Sequence, residues 1–142
     1  MFLGTHYPKL DDKGRFFLPA KFREGLDEGF VITKNYDHCL AIYTREDFLR
    51  MVTPVSTAPD SLKRVRQFQR QFGGSATEGV ADKQGRVTIP PPLRDYAGLD
   101  RDIVVVGAVN RIEVWDAATW AAYDAEQEET FADMDGEIFP VT

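Results

Sequence analysis

Apolar residues in this chain come in short alternating or continuous runs, punctuated by glycine and proline rather than gathered into long helical stripes. In VTIP, Val87 and Ile89 take one side and Thr88 the other, the period of a half-buried strand. FFLP repeats that spacing with Phe16 and Leu18 inward, but sets a phenylalanine, Phe17, at the outward position. The runs Phe30–Thr33, Leu40–Tyr43, Ile103–Val106 and Ile112–Trp115 predict four more strands, the last two joined by a tight turn over Ala108–Arg111. Pro19 and Pro90 stop the alternating strands and open short helices over AKFREGL and PPLRDYAGL at their first position. Longer helices follow the strand pairs, capped by Thr44, with Asp47 three residues on, and by Asp116.

These elements occur twice. DDKGRFFLPAKFR (residues 11–23) and DKQGRVTIPPPLR (residues 82–94) superpose with Asp11 on Asp82, Gly14-Arg15 on Gly85-Arg86, Leu18 on Ile89 and Arg23 on Arg94. Each copy reads β-β-α-β-β-α, too little apolar surface to bury alone, so the two copies are expected to interlock around one core. The predicted organisation is one structural domain, 1–142. It comprises a first repeat (1–53), a linker and basic helix (54–73), a second repeat (74–120), and an acidic C-terminal helix and tail (121–142). In the basic helix, LKRVRQFQRQF, Leu62, Val65, Phe68 and Phe72 form one side and Lys63, Arg66 and Arg70 the other, with Arg64 between. That side is either a solvated face or a charged docking surface, for which a neighbour's acidic tail is a fitting occupant.

Composition changes this picture mainly through charge. A net charge of −6 looks wrong for nucleic-acid binding, but residues 1–72 carry 12 bases against 9 acids, while residues 73–142 carry 5 against 14. Seven of those acids lie in residues 124–142, with no base among them. A basic face and an acidic tail can therefore coexist on one molecule. No apolar run approaches the ~18–20 residues of a membrane span, no signal-peptide pattern opens the chain, and the single cysteine, Cys39, suits a reducing cytoplasm.

The repeated Asp-x-x-Gly-Arg element has two readings. Asp11 and Asp82 can close turns on nearby amides while Gly14 and Gly85 take positive φ, and the Asp–Arg pairs then do no more than fix the loops. Alternatively, each Asp holds a guanidinium in one orientation at a strand edge, where a rigid fork suits guanine edges and phosphates. Composition and spacing leave both open.

The doubled motif, the Leu/Ile-Pro that follows it and the opening MFLGTHYPKLDDKGR resemble the MraZ family of bacterial transcriptional regulators, in the AbrB/SpoVT superfamily. The resemblance spans essentially the whole chain. It implies an α+β fold, mainly β, whose barrel-like core is made of two pseudo-symmetric double-split β-α-β (swapped-hairpin, AbrB-like) repeats with peripheral helices. It also implies ring-shaped homo-oligomers that bind repeated promoter sequences upstream of the division and cell-wall gene cluster, in the cytoplasm at the nucleoid. The family motif carries over onto Asp11 and Arg15, and onto Asp82 and Arg86.

Copy one surrounds its arginine with Lys9, Lys13, Lys21 and Arg23, and copy two has Lys83 and Arg94, so Arg15 is expected to lead DNA contact, aided by Lys13 and Lys21. Arg86 and Lys83 are then secondary or structural. Phe17 is the candidate subunit contact, with Phe2 and Leu3 as possible additions. No cofactor, metal site, small-molecule substrate or catalytic residue is expected, because adjacent Asp37, His38 and Cys39 cannot all face one ion. The alternative is an antitoxin-like or protein-interaction module acting through the acidic helix, with Trp115, Trp120, Tyr123 and Phe131 as anchors. The two tryptophans align with Tyr43 and Phe48, which favours a core role for them.

Overall fold

A computed structural model describes residues 1–136. Eight strands and five α-helices follow in the order β1 (Phe2–His6), β2 (Arg15–Phe17), α1 (Ala20–Glu24), β3 (Phe30–Lys34), β4 (Leu40–Tyr43), α2 (Arg45–Ser56) and α3 (Lys63–Phe68). They continue with β5 (Thr77–Gly79), β6 (Arg86–Thr88), α4 (Pro91–Ala97), β7 (Ile103–Val109), β8 (Ile112–Asp116) and α5 (Ala117–Ala132). A π turn, Gln69–Gly73, prolongs α3, and a 3₁₀ turn, Tyr36–His38, joins β3 to β4. The residues at 137–142, the end of the predicted acidic tail, lie outside the described part.

Six strands form one antiparallel sheet in the order β1-β7-β8-β4-β3-β5, and β2 and β6 form a separate two-stranded ribbon. The order is unchanged when each strand is exchanged for its counterpart in the other repeat, β1 for β5, β3 for β7 and β4 for β8. Each repeat thus donates an edge strand to the other: β1 pairs with β7, and β5 with β3. The fold is α+β, as expected, but the strands do not close into a barrel among the described residues. Both faces of the sheet carry apolar side chains and both are covered, so it is satisfied as an open central layer.

Alternation along each strand divides those faces. Ile32, Leu40, Ile42, Ile103, Val105, Ile112 and Val114 join the ribbon's Phe16, Leu18, Val87 and Ile89 and the helical Phe22 and Leu93 in the main core. On the other face, Ala41 and Tyr43 meet Phe72, Phe48, Met51, Val52 and Phe68 from α2, α3 and the π turn. Val104, Trp115 and Cys39 meet Ala117, Trp120 and Tyr123 from α5. Trp115 is thus core, as its alignment with Tyr43 requires. Phe2 is buried as well, edge-on to Phe22, and is unavailable to a neighbour, whereas Leu3 is exposed.

The caps form as the sequence predicts. Thr44 accepts from the Asp47 amide, and Asp116 from that of Thr119. Two local expectations need correction. Pro19 and Pro90 occupy N-cap positions, and Pro91 takes the first helical place. Helix α2 runs through Pro54 to Ser56, beyond the predicted start of the linker, because a proline in the last turn removes only one of the hydrogen bonds already made there.

Candidate nucleic-acid interface

The ribbon brings the two motifs together. In its register Arg15 faces Thr88, Phe16 faces Val87 and Phe17 faces Arg86. Phe16 and Val87 point into the core, so Arg15, Phe17, Arg86 and Thr88 share the outer face. The two arginines are diagonal neighbours, a relation that separates Cα atoms by about 7–8 Å. Reciprocal bonds extend the pairing, with the Leu18 amide donating to the Gly85 carbonyl at 2.9 Å and Ile89 to Gly14 at 2.8 Å.

Each arginine emerges from an identical turn. The Asp11 Oδ1 accepts from the Lys13 and Arg15 amides at 2.9 Å, and Oδ2 accepts from Arg15 Nε at 2.8 Å. Asp82 does the same for the Gln84 amide and for both Arg86 donors. Gly14 and Gly85 close the turns at φ of 76° and 81°. The Arg15 and Arg86 amides, more than any other group, hold these carboxyls below the usual carboxylate range, with the guanidinium bonds adding to the effect. The bonds use only Nε, so both terminal nitrogens of each fork remain without a partner among the described residues. Side-chain exposures of 27% for Arg15 and 23% for Arg86 show two equally mounted groups. The expected ranking of Arg15 over Arg86 therefore rests on neighbouring charge and not on geometry.

Lys13 and Lys83 are exposed on the first and second turns, and Lys21 is exposed on α1. Lys9 is committed to Asp102. Phe17 is 60% exposed beside Arg86, on the arginine face itself. In sequence Arg23 and Arg94 are a matched pair and part of the basic surroundings of Arg15 and Arg86. Each crosses to the other repeat: Arg94 lies against Gly14, and Arg23 against Gly85, so close that a Cβ on either glycine would overlap a guanidinium. The signal for this was present in the superposition of KFR on PLR, but nothing local says that the helix of one repeat reaches the turn of the other.

The family model of the MraZ protein, described as antitoxin-like, matches residues 1–71 and again 72–139. The chain belongs to the MraZ family. It is 58% identical over 139 residues to the transcriptional regulator MraZ of Cutibacterium acnes, covering 98% of each chain. It is 54% identical to the protein of the same name from a Parafrankia species over 140 residues, 99% of this chain and 98% of the relative. For that of Thermobifida fusca the figure is 52% over the same shares. No helix among the described residues is long and apolar enough to cross a membrane.

Proposed function

We propose that the protein is a sequence-specific DNA-binding transcriptional regulator that inserts the β2–β6 ribbon into the major groove. The carrying observation is the pair of pre-oriented guanidinium forks on one face of a two-stranded ribbon. That shape fits the groove, and an arginine fork matches O6 and N7 of guanine. The relatives' shared name, transcriptional regulator, supports the reading. Phe17, exposed on the arginine face, offers an apolar contact to a thymine methyl in place of a subunit contact. Lys13, Lys21 and Lys83 neutralise phosphates. Arg15 leads, because its repeat carries more uncommitted base.

In the same reading the protein assembles as a ring-shaped homo-oligomer on repeated promoter elements of the division and cell-wall gene cluster, in the cytoplasm at the nucleoid. Repetition on both sides turns a weak single contact into avidity. The interaction-module alternative loses most of its anchors, since Trp115 is buried and Trp120 and Tyr123 pack against it. The test is titration of the protein with its own upstream promoter DNA at several salt concentrations. Arg15→Ala should lose about 10–100-fold in specific affinity, and Lys13→Ala should lower the log–log salt slope by about one. Phe17→Thr should alter DNA affinity with the sedimentation coefficient unchanged. Absence of saturable binding at low salt sinks the proposal.

A further inference from the structure

Helix α5 is longer than the surface that holds it. Ala117, Trp120 and Tyr123 pack on the Trp115 cluster, but every residue from Ala125 to Gly136 is exposed. The overhang from Ala125 to the helix end is about 12 Å long, shorter than a helix that stands alone in water. It carries Glu126, Glu128, Glu129 and Asp133 without a base, and Phe131 near its tip is 73% exposed. Asp124, Glu128 and Phe131 fall on one stripe of the helix, at spacings of four and three.

A matching surface lies beside α3. Tyr36, Phe68, Phe72 and Tyr96, with Lys34 and Gln71, line a cavity of about 290 Å³. Its polar groups are already satisfied, Lys34 Nζ by Gln71 Oε1 at 2.9 Å and the Tyr96 hydroxyl by the Asn35 carbonyl at 2.6 Å. The rest of its wall is mainly aromatic. Lys34 is the one base in its lining; Arg64 stands one helical turn before Phe68, and Lys63 and Arg70 flank the same helix on its other side. Lys63, Arg64 and Arg70 are exposed and have no acidic partner among the described residues. Because Phe131 is exposed, it does not fill the cavity of its own chain.

We propose that the overhanging half of α5 docks on a second copy of this chain, seating Phe131 in the aromatic cavity and its acids against Lys63, Arg64 and Arg70. This rests on the homo-oligomer reading and names its contact. Phe131 supplies the buried anchor, and the charges set register and rate. The contact is heterologous, arm to α3, so each copy uses both surfaces, and the ring of the oligomer reading forms where the rotation between successive copies closes.

Sedimentation velocity over a concentration series tests it, using the full chain, Phe131→Ser, the arm variant Glu126→Lys/Glu128→Lys/Glu129→Lys and the α3 variant Lys63→Glu/Arg64→Glu/Arg70→Glu. Each variant should keep its circular dichroism spectrum and weaken association about tenfold or more. Mixing the arm variant with the α3 variant should restore assembly, since each then meets a complementary surface on the other. A wild-type chain that stays monomeric removes the oligomer reading and this contact together. Wild-type assembly that the variants leave unchanged, or that mixing fails to restore, overturns the contact alone.

Discussion

Replacing Gly14 with alanine probes both features of the turn at once. Gly14 holds φ at 76°, where a side chain costs about 1–2 kcal/mol. The added Cβ also overlaps the Arg94 guanidinium, which must leave its place. Pushing that side chain off its rotamer adds about 0.5–1.5 kcal/mol, for a total near 2 kcal/mol. In a chain of this size that lowers the melting temperature by about 6–10 °C. Two other glycines separate the contributions. Gly98 has φ of 60° with nothing within 4 Å of its Cβ, so Gly98→Ala bears the backbone cost alone. Gly73 has neither positive φ nor a neighbour within 4 Å, so Gly73→Ala should change stability by no more than about 0.5 kcal/mol. Calorimetry should rank the losses as Gly14 and Gly85 largest, Gly98 intermediate and Gly73 near zero. Melting of Gly14→Ala at or above the temperature of Gly98→Ala would refute the cross-repeat packing of Arg94.

Asp11 and Asp82 have folded pKa values below their unfolded ones, so their contribution is present above about pH 4 and is lost as pH falls through the folded values. Urea titrations of wild type and Asp11→Asn/Asp82→Asn should therefore diverge above pH 4 and converge in stronger acid; a constant gap across that range contradicts the assignment. At Gly107 a Cβ would meet the rigid β1 backbone, 2.5 Å from the Leu3 nitrogen and 2.6 Å from the Phe2 carbonyl carbon. Gly107→Ala should release β1 and its buried Phe2 at a cost of about 2–4 kcal/mol, read as lost hydrogen-exchange protection at Gly4 and His6, and retained protection there refutes it.

Period and punctuation made the interior strands legible. Leu40–Tyr43 has the predicted limits, and the Ala108–Arg111 turn forms where glycine-free sequence alone suggested only tightness. Strands β1 and β5, the first of each β-β-α-β-β-α copy, could not be given limits because FLGTH and TEG have weak alternation and exist by pairing with the other repeat. The same long-range exchange hid the ribbon. The motif residues could be named in sequence, but Arg15 and Arg86 share a face only because β2 pairs with β6, a relation between residues some seventy positions apart that no local pattern carries. Phe17 shows the consequence: its outward position was readable, but the face it shares was not.

That arrangement also explains how a chain of net charge −6 can present a basic face. The ribbon packs on one side of the central sheet and α5 on the other. Packed layers lie about 10 Å apart, so the acidic overhang stands on the order of 20 Å from Arg15 and Arg86. The Debye length at physiological salt is about 8 Å, and exposed charges at more than twice that distance are largely screened. DNA approaching the ribbon therefore meets Lys13, Arg15, Lys83 and Arg86 and little of the arm on the same chain. In the proposed assembly a neighbour's arm meets the bases of α3 rather than those of the ribbon.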